Sequence, residues 1–146
     1  MQPITPPTVF ISHASADKFA ADQVCTALER FGIACWIAPR NIRWGRAYGE
    51  AILEGIEVCR ALLLVLSSAA NESLHVPGEV ERSFSRGKTV LVLRIQDVKP
   101  AKSLELFIGS THWLDVFNGS LELELDGICA KVGAALGAGS VTPSPV

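Results

Sequence analysis

Short apolar runs alternate with amphipathic segments along the chain, and this alternation predicts an α/β fold. The run 61–66 (ALLLVL) contains no polar residue, as is typical of a central strand that is buried on both faces of a parallel sheet. The predicted strands are residues 9–11, 33–37, 61–66, 89–95 and 111–115. Apolar residues at helical spacing predict helices over residues 15–31, 47–57, 75–86 and 121–136. Strands that alternate with helices imply a parallel sheet with helices on both faces.

Residues that favour the N-terminal or C-terminal ends of helices mark the predicted helix boundaries. We expect Ser15 to be the N-cap of the first helix and Gly32 to end that helix. Pro77 suits the first turn of the third helix, where its missing N–H costs nothing. Ser120 is expected to cap the last helix. Residues 100–109 fit either a short helix or a loop.

The chain of 146 residues has the length of a single domain. We divide it into a Pro-rich leader at residues 1–7, a domain at residues 8–136 and a tail at residues 137–146. Gly, Ser and Pro make the tail linker-like. A chain that ends in this way is expected to be part of a longer protein.

Composition and charge exclude several classes of protein. Hydrophobic residues are 49% of the chain and charged residues 19%, which excludes an intrinsically disordered chain. The net charge of −2 predicts neither a nucleic-acid surface nor a membrane-binding basic patch. The longest strongly apolar run, 61–66, is far shorter than the roughly 20 residues that span a bilayer. The first residues lack a signal-peptide pattern, so the expected location is cytoplasmic.

The spacing of cysteine and histidine residues predicts no metal site and no disulfide framework. Each of the four cysteines lies in an apolar neighbourhood and is expected to be a reduced core residue. These cysteines are Cys25, Cys35, Cys59 and Cys129.

Common nucleotide and phosphate motifs are absent from the sequence. Gly87-Lys88-Thr89 imitates the end of a P-loop, but Arg82 stands where that motif needs its first glycine. No G-x-G-x-x-G follows the first predicted strand. A ligand in this fold binds at the carboxyl ends of the strands, so we expect the site among residues 12–15, 38–46, 67–79 and 96–102.

Four motifs in order along residues 8–117 resemble those of Toll/interleukin-1 receptor (TIR) domains of bacterial type. The third motif consists of the end of a strand, a serine and then a Ser-x-Trp-x-x-x-Glu pattern. In this chain the last part is residues 73–79 (SLHVPGE), with His75 at the position of the Trp. The motifs are a first box at 9–18 (VFISHASADK), a second motif at 36–48 that contains the loop after the second strand (the BB loop, residues 38–46), the strand–serine–glutamate motif at 64–80 and a last box at 112–115 (HWLD).

The resemblance implies a flavodoxin-like, doubly wound sheet of five parallel strands and one of two functions. The first is an NAD⁺ glycohydrolase, in which NAD⁺ is the substrate and no further cofactor is needed. Its products are nicotinamide and ADP-ribose or a cyclic variant. By resemblance it is activated by self-assembly. The linker-like tail predicts a fused C-terminal sensor domain that drives this assembly, and such an architecture resembles those of bacterial anti-phage defence. The alternative is a non-enzymatic TIR module for protein interaction and signalling.

The glutamate of the third motif is Glu79, and the resemblance implies that it is the catalytic residue. Nicotinamide leaves as a neutral molecule from a cationic pyridinium, so the reaction needs no general acid. One carboxylate can bind the ribose hydroxyls and stabilise the positive sugar as it forms. The alternative role for Glu79 is that of a solvated first-turn residue that complements the helix dipole.

Further substrate-binding residues are implied by the same motifs. Ser12, His13 and Ala14 are expected to line the pocket for nicotinamide riboside, although Ser12 fits a local backbone cap equally well. Ser73 and His75 are expected at the substrate as well. His75 stands where the family often has a stacking Trp, and an imidazole offers less area and can become protonated. Its alternative role is an ordinary residue at a helix start.

The BB loop, residues 38–46, has two expected roles, in substrate binding and in self-assembly. Arg40 and Arg43 suit contacts to the pyrophosphate or to a neighbouring protomer, because guanidinium groups pair well with phosphates. The alternative is a solvated cationic loop. Trp44 is expected to be an interface residue or a ligand platform if it is exposed, and a loop anchor if it is buried.

Overall fold

Five parallel strands form one sheet in the order β2-β1-β3-β4-β5. The structure is a computed structural model that describes residues 7–108 and 112–137. The strands are β1 (Val9–Ser12), β2 (Cys35–Trp36), β3 (Ala61–Leu66), β4 (Thr89–Arg94) and β5 (His112–Asp115). The order reverses between β1 and β3, which places the crevice for a ligand at their carboxyl ends. The predicted doubly wound five-stranded α/β fold is confirmed.

Helices cover both faces of the sheet. The helices are α1 (Lys18–Arg30), α2 (Tyr48–Val58), α3 (Ser68–Asn71), α4 (Val76–Ser85), α5 (Lys102–Ile108) and α6 (Leu121–Leu136). Buried residues of α1 and α6 form the hydrophobic cluster on one face, and those of α2, α4 and α5 form the cluster on the other.

Strand β3 holds the two clusters together because its side chains alternate between the two faces of the sheet. Leu63 and Val65 belong to the cluster with α1 and α6, while Leu62, Leu64 and Leu66 belong to the cluster with α2, α4 and α5. All five are fully buried, and each such side chain stabilises the fold by about 1.5–3 kcal/mol. The continuous apolar run in the sequence therefore marks the central strand, as predicted.

Several predicted boundaries need correction. Ser15 does not cap α1, because a 3₁₀ turn at Ser15–Asp17 comes first and α1 begins at Lys18. Ser120 occupies the N-cap position of α6, but its side chain makes no capping hydrogen bond. Strand β2 is shorter than predicted. The ambiguous segment 100–109 contains helix α5.

Helix α3 was not predicted from the sequence. Its N-cap is Ser67, whose hydroxyl oxygen accepts a hydrogen bond of 3.0 Å from the N–H of Ala70. A helix of four residues is too short to show an amphipathic period. Its one sequence signal is the serine that directly follows a buried strand.

Parts of four predicted segments lie outside the described residues. They are residues 1–6 of the leader, Gly109 at the end of the segment 100–109, Thr111 at the start of the last predicted strand, and residues 138–146 of the tail. The division of the chain into leader, domain and tail stays a prediction. Within the described ranges, no helix is long and apolar enough to span a membrane.

Gly55 allows α2 to lie against a stacked aromatic pair. Trp36 stacks on Phe10 with ring centroids 4.8 Å apart and 7° between the planes. A Cβ added at Gly55 would lie 2.6 Å from the Trp36 ring, which is closer than carbon atoms can approach. Glycine at this position is therefore required by the close approach of the helix to the indole.

We expect Gly55→Ala to lower the free energy of unfolding by about 1–3 kcal/mol, because overpacking forces Trp36 to move. Gly127→Ala is the matched control, since Gly127 also lies inside a helix and a Cβ there meets nothing within 4 Å. The control should gain about 0.5–1 kcal/mol from helix propensity. Urea denaturation of both variants measures the difference, and equal effects would contradict the packing role of Gly55.

Candidate active site

The end of β1 and the first turn of α4 bring two polar side chains together inside the protein. Ser12 is the last residue of β1 and is fully buried, while Glu79 lies in the first turn of α4 and is 7% exposed. The Ser12 hydroxyl donates a hydrogen bond of 2.7 Å to Oε1 of Glu79. Glu79 is therefore not the solvated residue of the alternative interpretation, and the Ser12 side chain is not a local cap.

Ser73 and His75 fix the start of α4. The Ser73 hydroxyl oxygen accepts hydrogen bonds of 3.2 Å from the backbone N–H groups of His75 and Val76. Such bonds satisfy donors that the first turn of a helix leaves unpaired. Pro77 occupies the first turn, as predicted. These contacts set the position from which Glu79 reaches the sheet.

A histidine contact joins the start of α4 to the loop after β1. Nε2 of His75 donates to the backbone carbonyl oxygen of His13 at 3.2 Å. In the neutral ring Nδ1 is then an acceptor, and it lies 3.2 Å from the Ser73 hydroxyl. His13 in turn donates from its own Nδ1 to the Ala14 carbonyl oxygen at 2.9 Å. The structure thus brings Ser12, His13, Ser73, His75 and Glu79 together, with Ala14 next to them, while their contacts with a substrate stay predictions.

A cavity of about 240 Å³ opens at this edge of the sheet. An apolar groove of about 430 Å³ between α2 and α4 shares four of its lining residues, Tyr48, Ile52, His75 and Glu79. The residues that line the cavity are Phe10, Ile11, His13, Ser15, Lys18, Ala38, Pro39, Tyr48, Ile52, His75 and Glu79. A carboxylate at the boundary of a cavity and an apolar groove can contact a polar group of a ligand whose rings occupy apolar surface.

Burial changes the acidity of the site. The loss of water around Glu79 raises the pKa of its carboxyl group to about 7, although the Ser12 hydrogen bond and the nearby His75 lower it in part. Burial and the charge of Glu79 also raise the pKa of Tyr48. Near neutral pH Glu79 therefore exists both as the acid and as the carboxylate.

Ala38 and Pro39 of the BB loop line the Glu79 cavity, whereas the predicted substrate-binding residues Arg40, Arg43 and Trp44 do not. Arg40 makes two hydrogen bonds of 2.8 and 2.9 Å to the carboxylate of Glu29. Arg43 lines a separate hollow beside Trp36. Trp44 is fully exposed, so it is not a loop anchor. Substrate contacts by Arg40, Arg43 and Trp44 stay predictions.

Tyr48 and Lys18 are site residues that were not predicted from the sequence. Both line the cavity, from the first positions of α2 and α1. An aromatic residue at a helix start behind the BB loop was the available signal for Tyr48. A second polar pair was also missed, in which the Ser67 hydroxyl at the end of β3 donates to Asp17. The signal there was a serine directly after an apolar strand, as at Ser12.

We expect Glu79→Gln to change how stability depends on pH. The pKa of Glu79 in the folded state lies above its ordinary value of 4.5, so its contribution to stability is present at low pH and is lost as pH rises through about 7. Between pH 5 and pH 8 the wild type should therefore lose about 3 kcal/mol relative to the uncharged variant. Urea denaturation across this range measures the difference, and parallel stability curves would contradict the buried, high-pKa carboxyl group.

Comparison with known proteins agrees with this architecture. The family model described as the TIR domain matches residues 9–129. The chain is similar to the TIR domain of the Toll-related receptor TRR-2 from Hydra magnipapillata, with 17% identity, a TM-score of 0.69, and coverage of 85% of this chain and 95% of that one. It is also similar to the TIR domains of the Roq1 resistosome that recognises the pathogen effector XopQ, with 15% identity, a TM-score of 0.70 and coverage of 86% and 99%.

A third similar structure is the CMP N-glycosidase BcmB of Clostridium botulinum, with 14% identity, a TM-score of 0.58 and coverage of 83% of this chain and 97% of that one. At such identities the likeness shows the fold. No curated protein sequence matches this chain. The family match extends over most of the chain and includes the strands and helix that hold Ser12 and Glu79. This chain belongs to the TIR domain family.

Proposed function

We propose that this TIR domain is an NAD⁺ glycohydrolase, of the bacterial type, that breaks the bond between nicotinamide and ribose. The observation that carries the proposal is the buried Glu79 carboxylate, which Ser12 holds at one oxygen beside an open cavity. The products are nicotinamide and ADP-ribose, or a cyclic variant of ADP-ribose. No cofactor besides the substrate takes part.

The chemistry needs one carboxylate. When the C–N bond breaks, its electron pair stays with nicotinamide, which leaves as a neutral molecule, and positive charge develops on the ribose. The Glu79 carboxylate stabilises this charge and accepts hydrogen bonds from the ribose hydroxyls. Because the site is largely removed from water, the attraction is stronger than it is in solution. Water then attacks the sugar and releases one proton.

The surroundings of Glu79 are compatible with a nicotinamide riboside. The ring of Tyr48 and the side chain of Ile52 offer apolar surface beside the carboxylate. His75 takes the place of the stacking aromatic residue that the family often has. The side chain of His13 also lines the cavity. One protein of similar fold is named a CMP N-glycosidase, and its bond, like that of NAD⁺, joins a base nitrogen to ribose.

Self-assembly through residues 38–46 forms part of the proposal. The cavity of about 240 Å³ is by itself smaller than the roughly 300–1,000 Å³ of usual ligand pockets, and the groove beside it is apolar, so the charged diphosphate of a dinucleotide needs additional walls. Arg43 and Trp44 of a neighbouring protomer can supply them, because Trp44 is fully exposed. The proposed setting is the bacterial cytoplasm, where a fused sensor domain drives assembly in anti-phage defence.

The second candidate function is a non-enzymatic interaction module. The full exposure of Trp44 and Leu74 favours it, since large exposed apolar side chains are typical of contact surfaces. An interaction module does not need a buried carboxylate beside a cavity, so the activity of Glu79 variants distinguishes the two functions.

We expect Glu79→Gln to lower the rate of NAD⁺ cleavage at least about 100-fold, because removing one group that stabilises the transition state costs about 3 kcal/mol. Glu81→Gln is the matched control, since Glu81 is an exposed residue of the same helix. The measurement is nicotinamide release at high protein concentration or with a crowding agent. Equal rates for the wild type and Glu79→Gln would leave the interaction module as the function.

The rate of NAD⁺ cleavage should rise with pH through the pKa of Glu79, near 7, because the carboxylate is the active form. The Ser12 hydrogen bond lowers this pKa. Ser12→Ala should therefore shift the midpoint of the profile upward by about one pH unit, since a hydrogen bond to a charged group contributes about 1.5 kcal/mol. A profile that is flat between pH 5.5 and pH 8.5, or unshifted in Ser12→Ala, would contradict the role of the carboxylate.

A further inference from the structure

A cluster of side chains that can act as metal ligands lies at the base of the BB loop. The sulfur atoms of Cys25 and Cys35 and a carboxylate oxygen of Glu29 all lie within 4.8 Å of one another. None of these three residues is among those that line the Glu79 cavity. The NAD⁺ reaction proposed above gives this cluster no role.

Local structure explains why these three side chains meet. Cys25 and Glu29 are four residues apart on α1, so both lie on the same face of that helix. Cys35 opens β2, and its backbone N–H donates to Oε2 of Glu29 at 3.3 Å. The two thiols are 3% and 2% exposed, whereas the Glu29 side chain remains 35% exposed. A small ion can therefore approach along the carboxylate.

We propose that Cys25, Cys35 and Glu29 bind one divalent cation of the zinc class, with water as the fourth ligand. Two thiolates and one carboxylate form a donor set that zinc, cobalt and cadmium accept. In a tetrahedral zinc site the donor atoms are about 3.6–3.8 Å apart, given the usual bond lengths. The donors observed here need side-chain shifts of about 1 Å or less to reach that spacing.

Arg40 balances the charge of such a site. Two thiolates and a carboxylate carry three negative charges, of which a divalent cation neutralises two. The guanidinium group of Arg40 is bound to the Glu29 carboxylate and balances the third. A carboxylate has lone pairs enough for Arg40 and a metal ion together, so Arg40 acts as an outer partner that orients a metal ligand.

The cluster is connected to the BB loop by hydrogen bonds. Besides Glu29, Arg40 contacts the carbonyl oxygen of Cys35 at 2.8 Å and Oδ1 of Asn41 at 2.9 Å. The same Asn41 oxygen accepts from the N–H of Ile37 at 3.0 Å. A cation bound at the cluster therefore strengthens the attachment of the loop to α1 and stabilises the folded protein.

Titration of the reduced chain with Co²⁺ tests the site. We expect one Co²⁺ per chain, with a sulfur-to-cobalt charge-transfer band and the visible bands of a tetrahedral ion. One equivalent of Zn²⁺ should remove both spectra, and the melting temperature should rise with the concentration of the metal. The absence of a sulfur-to-cobalt band in the wild type would overturn the proposal.

Variants locate the site and separate it from the other thiols. Cys25→Ser and Cys35→Ser should weaken Co²⁺ binding by more than about 100-fold, since the loss of an outer-shell partner alone costs 10- to 100-fold. Arg40→Gln should weaken it by about 10- to 100-fold. The matched controls are Cys59→Ser and Cys129→Ser, which alter equally buried free thiols elsewhere and should leave the spectrum unchanged.

Glu29→Gln tests the metal site without altering the hydrophobic core, because it changes a partly exposed side chain rather than a buried thiol. It should weaken Co²⁺ binding while circular dichroism shows an unchanged fold. Retention of the wild-type affinity in Glu29→Gln, or loss of the band in Cys59→Ser, would overturn the assignment of the ligands. Neither result affects the cleavage of NAD⁺, which Glu79 variants test separately.

Discussion

A carboxylate inside a protein must have a hydrogen-bonding partner, and the hydrogen bond between Ser12 and Glu79 meets this constraint. Removing the charged group from water costs several kcal/mol when no partner compensates. Here a neutral hydroxyl is the direct partner, so the carboxylate is oriented without being neutralised by a cation. This arrangement leaves the group able to respond to positive charge that appears beside it, which is the property that glycoside cleavage uses.

Two neighbouring strands of the sheet each provide a serine hydroxyl that donates a hydrogen bond to a carboxylate. Strands β1 and β3 are paired in parallel. The buried Ser12 is the last residue of β1, and the buried Ser67 directly follows β3. Ser12 holds the first turn of α4 through Glu79, and Ser67 holds the 3₁₀ turn before α1 through Asp17. The apolar strands therefore stabilise the core and also set the distance between the segments that form the cavity.

The BB loop divides into a fixed part and a free part. Arg40 is held against α1 by Glu29 and by the backbone of Cys35, while Trp44 projects into solvent. A loop that is anchored at its base and exposed at its tip can present one aromatic side chain to a partner at a low entropic cost. Arg40 of the fixed part also contacts Glu29 and Cys35, so the proposed cation site adjoins the base of the loop whose tip forms the proposed contact surface.

The apolar runs in the sequence were enough to predict the parallel α/β sheet and the central position of β3, because a strand buried on both faces has no polar positions. The catalytic role of Glu79 is implied by the motif resemblance and stays a prediction. The burial of Glu79 and its contact with Ser12, 67 positions away in sequence, follow from the packing of α4 against the sheet. The pairing of Arg40 with Glu29 and the proximity of Cys25 to Cys35 likewise depend on long-range packing. Whether Ser15 and Ser120 cap their helices also depends on the tertiary structure, in which neither side chain makes the capping hydrogen bond. Local sequence preferences indicate which residues can make a contact. Long-range packing brings the partners together, and no periodic pattern in the sequence predicts that packing.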